Sequence, residues 1–242
     1  MKNYIVLILL LICPFYYAQE DMGWDAKFAI GGGFVPGWII PDFKTVNNQL
    51  TNFGVDKFSS AGFFSSGGVG YVSIGVVENL RVGGIGFGGS ITHKGTKDGF
   101  RKEAKYSVSL AGLTIEYSFP FIKDIAISVG SIIGVGNTSL ELYQNSGSFD
   151  WNNVWKEVSD PNENTQNISR TIYNTFFSLA PTLNVDIPVY RFFAFRIGGG
   201  YMFDLSKNWK ADNGQAINNV PSDLSSNALF IQAGIFVGYF NY

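Results

Sequence analysis

The sequence is short of charge. Only 15% of its 242 residues are Asp, Glu, Lys or Arg, against roughly 25% in an average soluble domain. It therefore lacks the charge to cover an ordinary water-facing surface. Basic residues nowhere form a run and the net charge is −2, so a nucleic-acid partner has no electrostatic footprint here. One His and one Cys cannot make a usual zinc donor set. Beyond the first eighteen residues no apolar stretch reaches the roughly 18 residues that a transmembrane helix needs. What the chain has instead is aromatics (16%) and 29 glycines.

Residues 1–18 read as a signal peptide. Lys2 supplies the positive start, Ile5 to Ile12 are unbroken apolar residues, and Ala18-Gln19 offers a cleavage point. Cys13 does not complete a lipobox, because Ile12 stands where a small residue belongs. The mature portion, 19–242, then contains no cysteine and no disulfide.

From Trp24 onward the apolar pattern has period two, the period of strands. Trp24, Ala26, Phe28, Ile30, Gly32 and Phe34 alternate with small or polar residues. The pattern returns near 111–119, 125–136, 173–187 and 193–203, and more noisily at 65–77, 81–92 and 227–240. That gives eight strands. One face is bulky and apolar, the other small or polar, the reverse of a soluble barrel with an apolar interior. Links near Glu78–Leu80, Pro120–Asp124 and Pro188–Phe192 are short, whereas those at 37–61, 94–104, 140–169 and 205–226 are long and polar. Strict alternation puts all short turns at one end and all long loops at the other. The expectation is an all-β fold: a closed, eight-stranded, antiparallel, up-and-down transmembrane barrel with short periplasmic turns and long external loops. Trp24, Tyr117, Phe119, Phe121, Phe192, Phe193, Tyr239, Phe240 and Tyr242 form its aromatic girdle on the turn side.

With its leader, eight runs and aromatic end (Phe236, Phe240, Tyr242), the chain resembles the small outer-membrane barrels of the OmpA, OmpX and OmpW kind. The stretch Glu78 to Gly89, ENLRVGGIGFGG, is similar to strand signatures of uncharacterised Gram-negative barrels. The resemblance implies residence in the outer membrane of a Gram-negative bacterium, with lipid as the constant partner. It carries over no functional residue.

Four groups of residues are candidates for function. Gly31, Gly33, Gly68, Gly70, Gly84, Gly86, Gly88, Gly134, Gly136, Gly198 and Gly200 are assigned to the inward face, where they would line a cavity or relieve strand curvature. Phe43, Val46, Leu50 and Phe53 recur at helical spacing after Asp42, a candidate cap, and before Gly54, a stop signal; this segment, 41–53, is a candidate plug helix. Glu116 and Arg196 sit on small, polar faces and need partners, so an interior charge cluster with Asp186 or Lys27 is expected. Phe149, Trp151 and Trp155 make the third long loop adhesive.

Catalysis and cofactors find little support. His93 falls on the opposite face from Ser90, which is awkward for a nucleophile–base pair. Asp160, Asn162 and Asn164 begin like a calcium loop, but Thr165 replaces its Gly and no Glu closes it. No catalytic, cofactor-binding or metal-binding residue is assigned. Three readings follow in order: a structural or interaction protein whose external loops meet a ligand or protein partner; a carrier or binder of small apolar molecules in a glycine-lined cavity; and, distantly, a lipid-modifying enzyme of the outer membrane.

Overall fold

A computed structural model describes residues 28–73, 77–119, 125–146, 149–159, 167–190 and 192–241. The leader and its cleavage point lie outside them. Strands β1 (Phe28–Phe34) and β2 (Gly37–Pro41) lead to helix α1 (Lys44–Phe53). Then come β3 (Phe63–Ser73), β4 (Leu80–Lys97), β5 (Phe100–Ser118) and β6 (Ala126–Asn145). Helix α2 (Trp151–Ser159) precedes β7 (Ile168–Tyr190) and β8 (Phe193–Asp204). Two short strands, β9 (Trp209–Ala211) and β10 (Gln215–Ala216), come before β11 (Ala228–Asn241).

Eight staves close into a ring of antiparallel pairs. β1 and β2 together form the first stave, lying between β3 and β11. The stave is interrupted at Val35-Pro36, since proline has no N–H to give the ladder. Phe34 lies opposite Ile235 and Gly37 opposite Gln232, so the register runs through the break. The Pro36 carbonyl still accepts from Ala233 N–H at 2.9 Å. The remaining staves pair in chain order from β3 to β8, and β8 pairs with β11. Among the described residues the eight staves thus close on one another without an open edge strand in the ring, the condition for a sheet to stand in hydrocarbon; the β9–β10 extension hangs from β7.

The outer wall is apolar. Phe34, Leu113, Phe177, Leu183, Ile197 and Val237 are each more than half exposed, and similar residues continue around the ring. Alternation places these side chains outward, so the belt faces lipid. On the turn side Tyr117, Phe192, Phe193 and Tyr239 are exposed, with Phe192 and Tyr239 rings 6.5 Å apart, as a girdle requires. Trp24, Phe121 and Tyr242 lie outside the described residues.

Three expectations about loops need correction. Residues 37–41 are strand, not loop. The third external loop, expected over 140–169, is shorter, because β6 runs to Asn145 and β7 begins at Ile168. The second external loop, expected over 94–104, contracts to a two-residue turn, because β4 and β5 stay paired up to Lys97 and Phe100. Asp98 and Gly99 both have positive φ, 55° and 80°, which suits a tight hairpin turn. The polar residues of 94–104 are strand residues that have risen above the membrane, where neither face has to be apolar.

Candidate functional site: the barrel interior and its external mouth

The interior is stacked in three layers. Nearest the short turns is a layer of charge. Arg81 and Glu116 lie opposite each other on β4 and β5; Asp186 and Arg196 lie opposite each other on β7 and β8. The ion pairs form between these two couples rather than within the first. Arg196 Nη1 and Nη2 donate to Glu116 Oε1 and Oε2 at 2.9 and 3.0 Å. Arg196 Nε donates to Asp186 Oδ1 at 2.6 Å, and Nη2 to Asp186 Oδ2 at 2.9 Å. Arg81 Nη1 reaches the same Asp186 Oδ2 at 2.5 Å. Two guanidinium groups thus meet two carboxylates, with no net charge, and tie β4–β5 to β7–β8 across the lumen.

All four residues are buried. Asn184 Nδ2 donates to Glu116 at 3.4 Å, and Gln232 Nε2 donates to Asn184 Oδ1 at 3.3 Å. The Arg196 guanidinium lies over the Phe236 ring at 4.7 Å and the Tyr71 ring at 5.5 Å. Buried charges are expensive unless paired and hydrogen-bonded, and these are both.

The structure therefore brings Glu116, Asp186 and Arg196 together. Lys27 lies outside the described residues, and Arg81 completes the quartet. Sequence reasoning missed Arg81 because it put the bulky face of β4 outward. The clue was present: an arginine on a spanning strand belongs inside. With Arg81 inward, alternation places Gly83, Ile85 and Phe87 inward too.

The same correction applies to five of the glycines. Val69, Tyr71, Ile85 and Phe87 are buried inside, so Gly68, Gly70, Gly84, Gly86 and Gly88 face outward and line no cavity. The rule that bulk faces lipid fails in β3 and β4 because the lumen itself takes large side chains there. Gly31, Gly33, Gly134, Gly136, Gly198 and Gly200 do lie on the inward face. Three of these make room for neighbours rather than for a ligand. A methyl at Gly136 would strike the Phe176 ring, one at Gly198 the Asn184 amide, and one at Gly200 the Phe230 ring at 2.7 Å.

Above the charges the lumen is filled by apolar side chains. The Phe87 and Phe230 rings meet at a tilt of 44° with centroids 5.0 Å apart, among buried Ile85, Leu110, Ile132 and Phe176. The top layer belongs to α1. Phe43, Val46 and Leu50 are buried; Phe43 meets the inward Tyr106 edge-on at 4.9 Å and Phe58 at 5.1 Å. Phe53 is half-buried, with Lys102 Nζ 5.0 Å from its ring centroid. Asp42 receives a hydrogen bond from Lys44 N–H at 2.9 Å, while Phe43 occupies the cap position itself. Gly54 ends the helix with φ 97°, a conformation that costs glycine little. Asn47 fastens the segment through reciprocal bonds with Phe58, 2.9 and 2.8 Å long.

Outside the mouth, Thr45 Oγ1 donates to Asp223 at 2.7 Å, which links α1 to the fourth external loop. That hydrogen bond holds the Asp223 carboxyl below its usual pKa. Asn174, Asp204 and Ser226 anchor the same loop, with Asn174 Nδ2 donating to Asp204 at 2.9 Å and to Ser226 at 3.0 Å. In α2, Trp151 and Trp155 stack edge-on at 5.8 Å and remain exposed beside Phe149. His93 faces inward, its Nδ1 3.2 Å from the Asp56 carbonyl and its ring 5.3 Å from Phe58. No group of metal-binding side chains occurs among the described residues, and the stretch from Asp160 to Thr165 lies outside them.

No family model matches this chain, and no curated protein matches it. Solved structures do. The chain is similar to a major outer membrane protein from Thermus thermophilus, with 11% identity, 88% of this chain and 99% of that one covered, and a TM-score of 0.49. It is similar to Ail, the attachment invasion locus protein of Yersinia pestis, solved with the heparin analogue sucrose octasulfate: 12% identity, 88% and 97% coverage, TM-score 0.35. CarO2 of Acinetobacter baumannii is another such structure: 9% identity, 87% and 98% coverage, TM-score 0.40. At these identities the likeness concerns fold. The ring of eight staves and its outward apolar belt have the architecture of a small outer-membrane β-barrel.

Proposed function

We propose that this outer-membrane barrel carries no solute through its lumen and works at its external surface, as a structural and interaction protein. The observation that carries this reading is the stacking of three layers inside one narrow ring: the four-charge layer, the Phe87–Phe230 layer and the α1 layer. Eight staves leave an interior just wide enough for side chains to fill. A carrier of apolar molecules would need the glycine-lined space, and Phe176, Asn184 and Phe230 take it at Gly136, Gly198 and Gly200. The exposed Trp151–Trp155 pair supplies apolar contact area outside the membrane.

Reconstitution in planar bilayers tests the proposal, together with titration of the purified barrel with a fluorescent fatty acid. The expected result is a baseline without steady conductance and no saturable uptake of the probe. Steady single-channel conductance, or stoichiometric uptake that displaces α1, would overturn it.

A further inference from the structure

Two buried hydroxyls stand inside the charged layer. Ser118 of β5 and Ser128 of β6 are cross-strand partners, one row toward the short turns from Glu116. Alternation sends both side chains into the lumen. Ser128 is fully buried and Ser118 is 8% exposed. Neither hydroxyl has a hydrogen-bond partner among the described residues. The row continues on β7 at Asn184, opposite Ser128 and one row above Asp186. The neighbouring polar side chains lean onto glycines: Asn184 over Gly198 and Glu116 over Gly130, where a methyl would strike each of them. Asn184 thereby leans toward β8 and off Ser128.

A buried hydroxyl without a partner forfeits its hydration and gains nothing in return. Two of them side by side call for one shared partner. It must both donate and accept, because a serine hydroxyl does both. It must be neutral, because two guanidinium groups already balance two carboxylates in this layer. It must be small, because the interior of eight staves is filled by side chains. One acceptor stands close by. Glu116 accepts twice from Arg196 and once from Asn184, and a carboxylate offers about four acceptor positions. We infer that an ordered water molecule binds here as the fifth member of the charged layer. It accepts from one serine hydroxyl and donates to the other and to the Glu116 carboxylate. About three hydrogen bonds are usual for a buried water. The water fastens the β5–β6 hairpin to the ion pairs of β7 and β8 and keeps Glu116 solvated inside the wall.

The test is a crystal structure of the full mature barrel at a resolution that shows ordered water, paired with urea unfolding of variants in liposomes. Density for a water is expected within hydrogen-bond distance of Ser118 Oγ, Ser128 Oγ and a Glu116 oxygen. Ser128→Ala should lower the folded-to-unfolded ratio by about fivefold, the worth of one net hydrogen bond. The sign is diagnostic. Were the hydroxyl bare, Ser128→Ala would remove an unsatisfied polar group and raise the ratio. Ser118→Ala, at the less buried of the two positions, should lower the ratio too, and it reads the same sign should Ser128→Ala fail to refold. Because both hydroxyls share one water, the double variant should lose less than the product of the two single losses. A raised or unchanged ratio, losses that simply multiply, or density that joins the serines directly to each other or to backbone carbonyls would overturn the site. The water site is independent of the external-surface reading, which conductance decides.

Discussion

Replacing Arg196 by Met should unfasten the charged layer. The side chain donates four hydrogen bonds, two to each carboxylate. Asp186 would keep Arg81 as its partner. Among the described residues, Glu116 would keep only the 3.4 Å bond from Asn184. Removing one partner of a buried ion pair costs about 3–5 kcal/mol, because the other charge is left uncompensated. That amounts to about two to four orders of magnitude in the folded-to-unfolded ratio. Adding Glu116→Gln removes the orphaned charge, so the double variant should recover about 1–3 kcal/mol relative to the sum of the single losses. Arg196→Lys, a point charge that cannot fork to both carboxylates, should fall between wild type and Arg196→Met. Reversible urea unfolding of the barrel in liposomes, followed by tryptophan fluorescence, reads all five proteins: wild type, the three single variants, Glu116→Gln included, and the double variant. A loss below about 1 kcal/mol for Arg196→Met, or strict additivity in the double variant, would refute a charge layer that ties opposite walls.

Other outcomes follow from local geometry. Gly84→Val should change stability by less than about 0.5 kcal/mol, since a methyl there meets nothing closer than 3.7 Å; Gly134→Val, aimed at the Ala111 carbonyl and the Gly112 backbone, should prevent refolding in a heat-modifiability gel. Leu50→Ala should cost about 2–5 kcal/mol locally, seen as lost hydrogen-exchange protection over 44–53 while the staves stay protected. The Glu141 carboxyl is held below its ordinary value, chiefly by the hydrogen bond from Tyr143, with Lys105 adding to it. A depressed carboxylate stabilises the hairpin above the ordinary glutamate range of roughly 4.3, and this contribution disappears as pH falls through the folded value. An NMR titration of Tyr143→Phe should find the Glu141 midpoint moved upward; an unmoved midpoint would assign the depression to Lys105 alone.

Much of the barrel was legible in the chain because a strand half in lipid and half in a lumen must alternate with period two. The runs at 111–119, 125–136, 173–187 and 193–203 each face as their bulk predicts: Leu113, Ile133, Leu179 and Ile197 out, Thr114, Ile132, Asn184 and Arg196 in. The same alternation required Glu116 and Arg196 to find partners inside. Helical spacing from Phe43 to Leu50, bounded by Gly54, marked α1 for the same reason: an apolar stripe has to be covered.

What the chain by itself could not decide was sidedness where both faces are mixed. In β3 and β4, glycines alternate with Val69, Tyr71, Ile85 and Phe87, and only the closed ring tells which set has neighbours across the lumen. Partner choice is equally tertiary. Arg81 and Asp186 are 105 positions apart, and Arg196 and Glu116 are 80 apart. Alternation sends each of these side chains inward, but the diameter and stagger of the ring bring them within hydrogen-bond reach. Period two is a property of one strand and is written in its residues; contact across a lumen is a property of closure and depends on all eight.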